Sequence, residues 1–84
     1  MIKKIDWSDF VEKVSSYSGI EINELKYETN IYSDMGVDSL GLLSLGLFLM
    51  KTYEINLPLS SVATIETLGD IFNMMNDQQV EQGN

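Results

Sequence analysis

The chain contains no histidine, no cysteine and no arginine. Without histidine there is no Ser-His-Asp arrangement, and the commonest general base and metal-binding imidazole are missing. Without cysteine there is no disulfide scaffold, no thiolate nucleophile and no Cys-based zinc site. One proline and six glycines in 84 residues exclude a low-complexity segment. Long apolar runs are also lacking: Leu40 to Met50 is the greasiest stretch, far short of the ~20 residues that span a bilayer. The start, MIKKIDW, carries two lysines with no apolar stretch behind them, unlike a secretory leader. These features lead us to expect a cytoplasmic protein without membrane insertion.

What is present is enough for a packed core. Hydrophobic residues make up 44% of the chain and its mean hydropathy is -0.02, which argues against wholesale disorder. The length suits one domain, expected over residues 1–76, with 77–84 as a disordered tail. Thirteen acidic residues against five lysines give a net charge of -8. Phosphate binding needs clustered cations, so nucleic acid is excluded as a partner. The charge favours encounters with basic protein surfaces, and it also serves simple solubility.

The periodicity predicts helices. In DWSDFVEKVSSYS (6–18), Trp7, Phe10, Val11, Val14 and Tyr17 fall on one side; Asp6 or Ser8 can cap the start and Gly19 suits the end. Residues 19–38 form a long connection whose Ile20, Ile22, Leu25, Ile31, Met35 and Val37 can pin it to the core, with a short turn near Asn23 to Lys26. The stretch LGLLSLGLFLMKTYE alternates like a strand in part. Its length, its two glycines and its leucines in place of β-branched residues favour a helix. At roughly 100° per residue, Leu42, Leu45, Phe48 and Leu49 share one face. Leu40, Leu43, Leu47 and Met50 share a roughly opposite one, with Ser39 at its edge. A small domain has few ways to cover both faces, so the second is expected to meet a partner. A short helix near Pro58–Thr64 and a final one near Glu66–Asn76 follow. In the last, Thr67 and Asp70 have capping-box-like spacing, and Leu68, Ile71, Phe72 and Met75 form the inner stripe. The expected architecture is all-α: three main helices and a short third one.

The stretch DMGVDSL (34–40) places Ser39 at the mouth of that apolar helix. Read from the residues alone, Ser39 is a helix N-cap. A helix start also offers unpaired N–H groups and a positive dipole end, which suit a phosphate. Nothing in this chain can activate the hydroxyl, so another protein would have to attach such a group. Calcium binding through Asp34 and Asp38 fails on pattern, because Gly36 stands at a ligand position and the twelfth residue is Leu45 where an EF-hand has Glu.

The order TNIYSDMGVDSL, helix, Pro-containing turn, TIETLGDIF resembles the acyl carrier and peptidyl carrier protein family over nearly the whole chain. The match includes Asp34, Gly36, Asp38, Ser39 and Leu40, with Thr29 and Ile31 upstream and the TLGD of the last helix. The resemblance implies that Ser39 bears 4′-phosphopantetheine, transferred from coenzyme A by a separate phosphopantetheinyl transferase. The arm's thiol would then hold acyl, aminoacyl or peptidyl groups as thioesters for a loading enzyme and downstream synthases or transferases. The domain itself is then no enzyme, and works as a monomer. Gly36 is expected to supply a positive φ or room to turn; Asp38, to cap the helix or present Ser39; Leu40, to lie beside the arm; Ile31 and Met35, to be core. Fatty-acid carriers of this family have an acid-rich helix after the serine, whereas the outward positions here hold Gly41, Ser44, Met50 and Lys51. That departure points to a specialised polyketide, nonribosomal-peptide or similar pathway, with partners that read Leu40, Leu43, Leu47 and Met50. The competing reading is an unmodified acidic adaptor in which Ser39 is only a cap.

Overall fold

The structure is a computed structural model that describes residues 4–82, with side chains as far as Asp77. Among the described residues there are four α-helices and no strand: α1 (Trp7–Ser18), α2 (Ser39–Tyr53), α3 (Leu59–Val62) and α4 (Leu68–Gln82). A 3₁₀ turn, Ile22–Glu24, interrupts the first connection. α4 runs to Gln82, six residues past its expected end at Asn76 and into the segment expected as a tail over 77–84, of which residues 83–84 lie outside the described residues.

α1 forms where its apolar spacing predicts. Asp6 caps it by accepting a hydrogen bond from the Ser8 N–H, and Gly19, at φ 80°, ends it by donating to the Ser15 carbonyl. Phe10, Val11 and Val14 are buried, and Trp7 packs edge-on to Phe72 at 5.1 Å between ring centroids. Tyr17 does not continue this stripe inward. It lies on the rim and stacks on Phe48 of α2 at 4.7 Å.

The long connection is clasped to the start of α4. Asn30 bridges to Thr67; the Ile31 N–H donates to the Glu66 carbonyl at 2.8 Å; the Leu68 and Gly69 N–H groups donate to Thr29 and Tyr27. Tyr27 lies so close over Gly69 that a β-carbon there would come within 2.5 Å of its ring, which accounts for glycine in the first turn of α4. The Tyr27 hydroxyl accepts from Asn73. Buried Thr29 is satisfied too, accepting from Lys26 N–H and donating to the Glu24 carbonyl. A connection of this length keeps one shape because its backbone groups find partners.

α4 begins at Leu68, two residues later than expected, because Thr67 and Asp70 close its end. The Thr67 Oγ1 accepts from Asp70 N–H, and the Asp70 carboxylate accepts from the Glu66 and Thr67 N–H groups. This is the reciprocal arrangement of a capping box. Near its far end, buried Asn76 grips the segment before α1: its Oδ1 accepts from Ile5 N–H at 2.7 Å and its Nδ2 donates to the Ile5 carbonyl.

α2 lies across the core with Leu42, Leu45 and Leu49 buried, as its spacing predicts. Met50 departs from the expectation that placed it on the opposite, partner-facing stripe: it is only 8% exposed. The chain leaves α2 through Glu54 in the left-handed region (φ 56°) and folds back over Met50. The Ile55 N–H donates to the Met50 carbonyl and the Leu57 N–H to its sulfur, so Ile55 and Leu57 cover the side chain. Gly46 lets α3 approach; a β-carbon there would sit 3.3 Å from Val62.

Candidate functional site

The turn that delivers the chain to Ser39 is built from side-chain and backbone acceptors. The Asn30 Oδ1 accepts from the Tyr32 and Ser33 N–H groups at 2.9 Å each, and the Asp34 Oδ2 accepts from Asn30 N–H at 2.8 Å. Such Asx contacts substitute for secondary structure in a tight loop. Sequence reading placed Asp34 within the motif but missed this role; Asn and Asp four residues apart were the available signal. Buried Ile31 anchors the turn to the core, and Met35 packs against it from a half-exposed position.

Gly36 has φ 71°, and a β-carbon there would meet nothing within 4 Å. Of the two reasons anticipated, conformation is therefore the operative one, and room is not. Val37 then ties back through its N–H to the Ile31 carbonyl at 3.1 Å.

Asp38 is the N-cap of α2. Its Oδ1 accepts from Gly41 N–H at 2.8 Å, and its carbonyl accepts the first helical hydrogen bond, from Leu42 N–H. Ser39 is thus the first residue inside the helix, and the cap assigned to it from sequence belongs to its neighbour. Ser39 is exposed, and among the described residues no hydrogen bond engages its hydroxyl. The N–H groups of Ser39 and Leu40 also lack partners there, as the first turn of any helix leaves them. No imidazole or thiol exists to activate the hydroxyl, and the adjacent carboxylate is engaged as a cap. The arrangement leaves the Ser39 oxygen exposed beside a carboxylate already engaged as the cap.

The arrangement fits a phosphodiester on Ser39. The group would extend into solvent from an unobstructed oxygen, next to free N–H groups at the positive end of a fifteen-residue helix. Asp38 brings an opposing negative charge, so retention depends on a covalent bond rather than on ion pairing.

Leu40 (76%) and Leu47 (56%) are exposed on α2, with Leu43 half-buried between them, while Met50 is absent from this surface. Leu59, at the start of α3 and 57% exposed, was not anticipated as part of an apolar surface. From Ser39 to Ile65 the only charged residues are Lys51 and Glu54, in a chain of net charge -8.

The perturbed ionisable pair lies elsewhere. Tyr53, at the far end of α2, donates its hydroxyl to Asp9 of α1. That bond and one from Lys13 hold the Asp9 carboxyl below the usual carboxylate range. Burial, followed by the Asp9 bond and charge, raises the Tyr53 hydroxyl. Fourteen helical steps of ~1.5 Å place this pair roughly 21 Å from Ser39, so it takes no part in the site.

Fold and site together define a small helical domain with an exposed serine in the first turn of its central helix. Residues 8–75 match the family described as the phosphopantetheine attachment site. The chain belongs to this family of non-catalytic carrier domains, whose function is to hold covalently attached 4′-phosphopantetheine. It is 39% identical over 54 residues to a "Probable acyl carrier protein" of Caulobacter vibrioides, covering 64% of this chain and 63% of that protein. It is 28% identical over 60 residues to the "Acyl carrier protein" of Clostridium acetobutylicum, covering 71% and 78%. It is also 37% identical over 70 residues to the "Polyketide synthase-nonribosomal peptide synthetase TwmB" of Talaromyces wortmannii, covering 80% of this chain and 2% of that much longer protein. No helix among the described residues is long and apolar enough to cross a membrane.

Proposed function

We propose that Ser39 is the attachment residue, and that the chain carries acyl, aminoacyl or peptidyl thioesters in a specialised polyketide, nonribosomal-peptide or related pathway. The observation that carries this is the division of labour at α2: Asp38 caps the helix, and the Ser39 hydroxyl is left free and exposed. In the loading step the Ser39 oxygen forms a bond to the phosphorus that bears the pantetheine in coenzyme A. The bond from that phosphorus to the bridging oxygen breaks, and adenosine 3′,5′-bisphosphate departs with the electron pair. The hydroxyl proton passes to a base of the transferase, since this chain has none in place. Asp38 and Gly36 act as the cap and hinge that hold Ser39 outward, and Leu40 lies beside the attached arm.

The surface of Leu40, Leu43, Leu47 and Leu59 is the docking face for the loading and downstream enzymes. Its lack of acidic residues supports a dedicated pathway whose enzymes present apolar surface, and the acyl carrier and polyketide–peptide relatives support the same class of cargo. The protein works as a cytoplasmic monomer.

The test is intact mass before and after incubation with coenzyme A and a promiscuous phosphopantetheinyl transferase, with Ser39→Ala as control. Gain of one phosphopantetheine by the parent alone is the expected result. A folded parent that arrives unmodified and gains nothing overturns the reading and restores the adaptor. For the docking face, Leu47→Asp is expected to gain phosphopantetheine normally and to fail in loading and transfer with its cognate enzymes; unimpaired loading and transfer refute that assignment.

A further inference from the structure

Gly41 is the third residue of α2, and no turn explains it. Its φ is not in the left-handed region, and glycine is a poor helix former compared with alanine. Space explains it. A β-carbon at Gly41 would lie 2.7 Å from Val37 Cγ1 and 3.2 Å from Asp38 Oδ1. The first distance is one that carbon atoms do not tolerate, and the second presses on the carboxylate that caps the helix. Val37 cannot retreat freely: its N–H is held by the Ile31 carbonyl and its side chain packs against the core. The bare backbone of Gly41 is therefore a seat for Val37, and the seat sets how the chain enters α2 immediately before Ser39.

We infer that Gly41 is a positioning residue for modification of Ser39. By leaving room for the Val37 side chain, it lets Val37 and Asp38 keep the backbone positions, held through the Val37 N–H, from which the Ser39 hydroxyl is offered to the transferase. This rests on Ser39 being the attachment residue, as proposed above. Gly41→Ala forces Val37 and Asp38 to shift, and small displacements of a reacting atom cost rate steeply. The turnover number for transfer from coenzyme A is expected to fall about tenfold or more, with KM for the carrier little changed. Alanine favours the helix, so thermal stability is expected to hold while modification falls.

The experiment measures transferase kcat and KM on the full chain for four proteins: parent, Gly41→Ala, Val37→Ala, and the double variant. Val37→Ala removes Cγ1, so the double variant is expected to recover most of the lost kcat, and Val37→Ala alone to stay near the parent. Four results overturn the proposal. Modification of Gly41→Ala at the parental rate is the first; a slow Gly41→Ala without rescue is the second, and means that the new methyl obstructs the transferase directly. A Gly41→Ala chain that no longer folds makes the seat a folding requirement only. A parent that is not modified at all removes the reading of Ser39 itself, a failure distinct from the other three.

Discussion

Two leucines two residues apart on α2 separate what holds the fold from what meets a partner. Leu42 is 2% exposed and Leu40 is 76% exposed. Truncating a fully buried leucine to alanine costs ~2–5 kcal/mol, the transfer loss plus the cavity left behind. In a domain of this size each kcal/mol moves Tm by ~4–8 °C. At ~3 kcal/mol, Leu42→Ala is expected to lower Tm by ~12–24 °C, a large share of the ~5–15 kcal/mol that stabilises a typical domain. Leu40 hides about a quarter of its surface, worth ~0.5 kcal/mol of the ~2 kcal/mol that full burial of a leucine contributes. Alanine's helix preference offsets part of this, so Leu40→Ala is expected to shift Tm by no more than ~4 °C. Thermal unfolding followed by circular dichroism at 222 nm measures both. A Leu40→Ala loss as large as that of Leu42→Ala would mean that α2 faces the core with its other side, and the docking face would fall with it.

Asp38→Ala is expected to cost ~1 kcal/mol through the lost cap while Asp38→Asn costs a few tenths, because the amide oxygen can accept the same bond; equal losses in denaturant titration would make the charge, not the cap, the stabilising feature. Gly36→Ala places a side chain at φ 71° and is expected to destabilise by ~1–2 kcal/mol in the same titration. Asn76→Ala orphans the N–H and carbonyl of Ile5, for an expected loss of ~1–3 kcal/mol and faster exchange of the Ile5 amide proton. Asp9 ionises more readily folded than unfolded, so its contribution is present above its ordinary pKa of ~4 and disappears as pH falls through the lower folded value. The stability difference between parent and Asp9→Asn is therefore expected to be constant near neutrality and to shrink in acid. Tyr53, with its hydroxyl raised, acts at the other end: its contribution holds below about pH 10 and is lost as the pH rises through the folded value.

The helices were legible because their information is local. The stripe of Phe10, Val11 and Val14, the Thr67–Asp70 cap and the positive φ of Gly36 all depend on residues within a turn or two of one another. Asp6 and Gly19 bound α1 for the same reason. Features set by distant residues were not legible. Nothing near Asn76 in sequence announces that it will hold Ile5, and the pairing of Tyr27–Ile31 with Glu66–Gly69 has no periodic signature. Met50 was misplaced because its cover, Ile55 and Leu57, depends on Glu54 taking a left-handed conformation that sequence assigns to glycine or asparagine. At the candidate site the motif pointed to the right residues and blurred their duties. Asp38 and Ser39 are both good N-caps in isolation, and only the geometry gives the cap to the aspartate and leaves the serine free.

The clasp between the first connection and the start of α4 also sets an order of events in the life of the chain. Ser39 is made early, but the backbone partners that shape the turn before it, from Glu66 to Gly69, are made late. A nascent chain that has reached only α2 has the serine and its aspartate, without the frame that holds them outward. With Ser39 as the proposed attachment residue, a modifying enzyme would meet a finished surface only after the last helix has begun to form, and attachment would then report on folding.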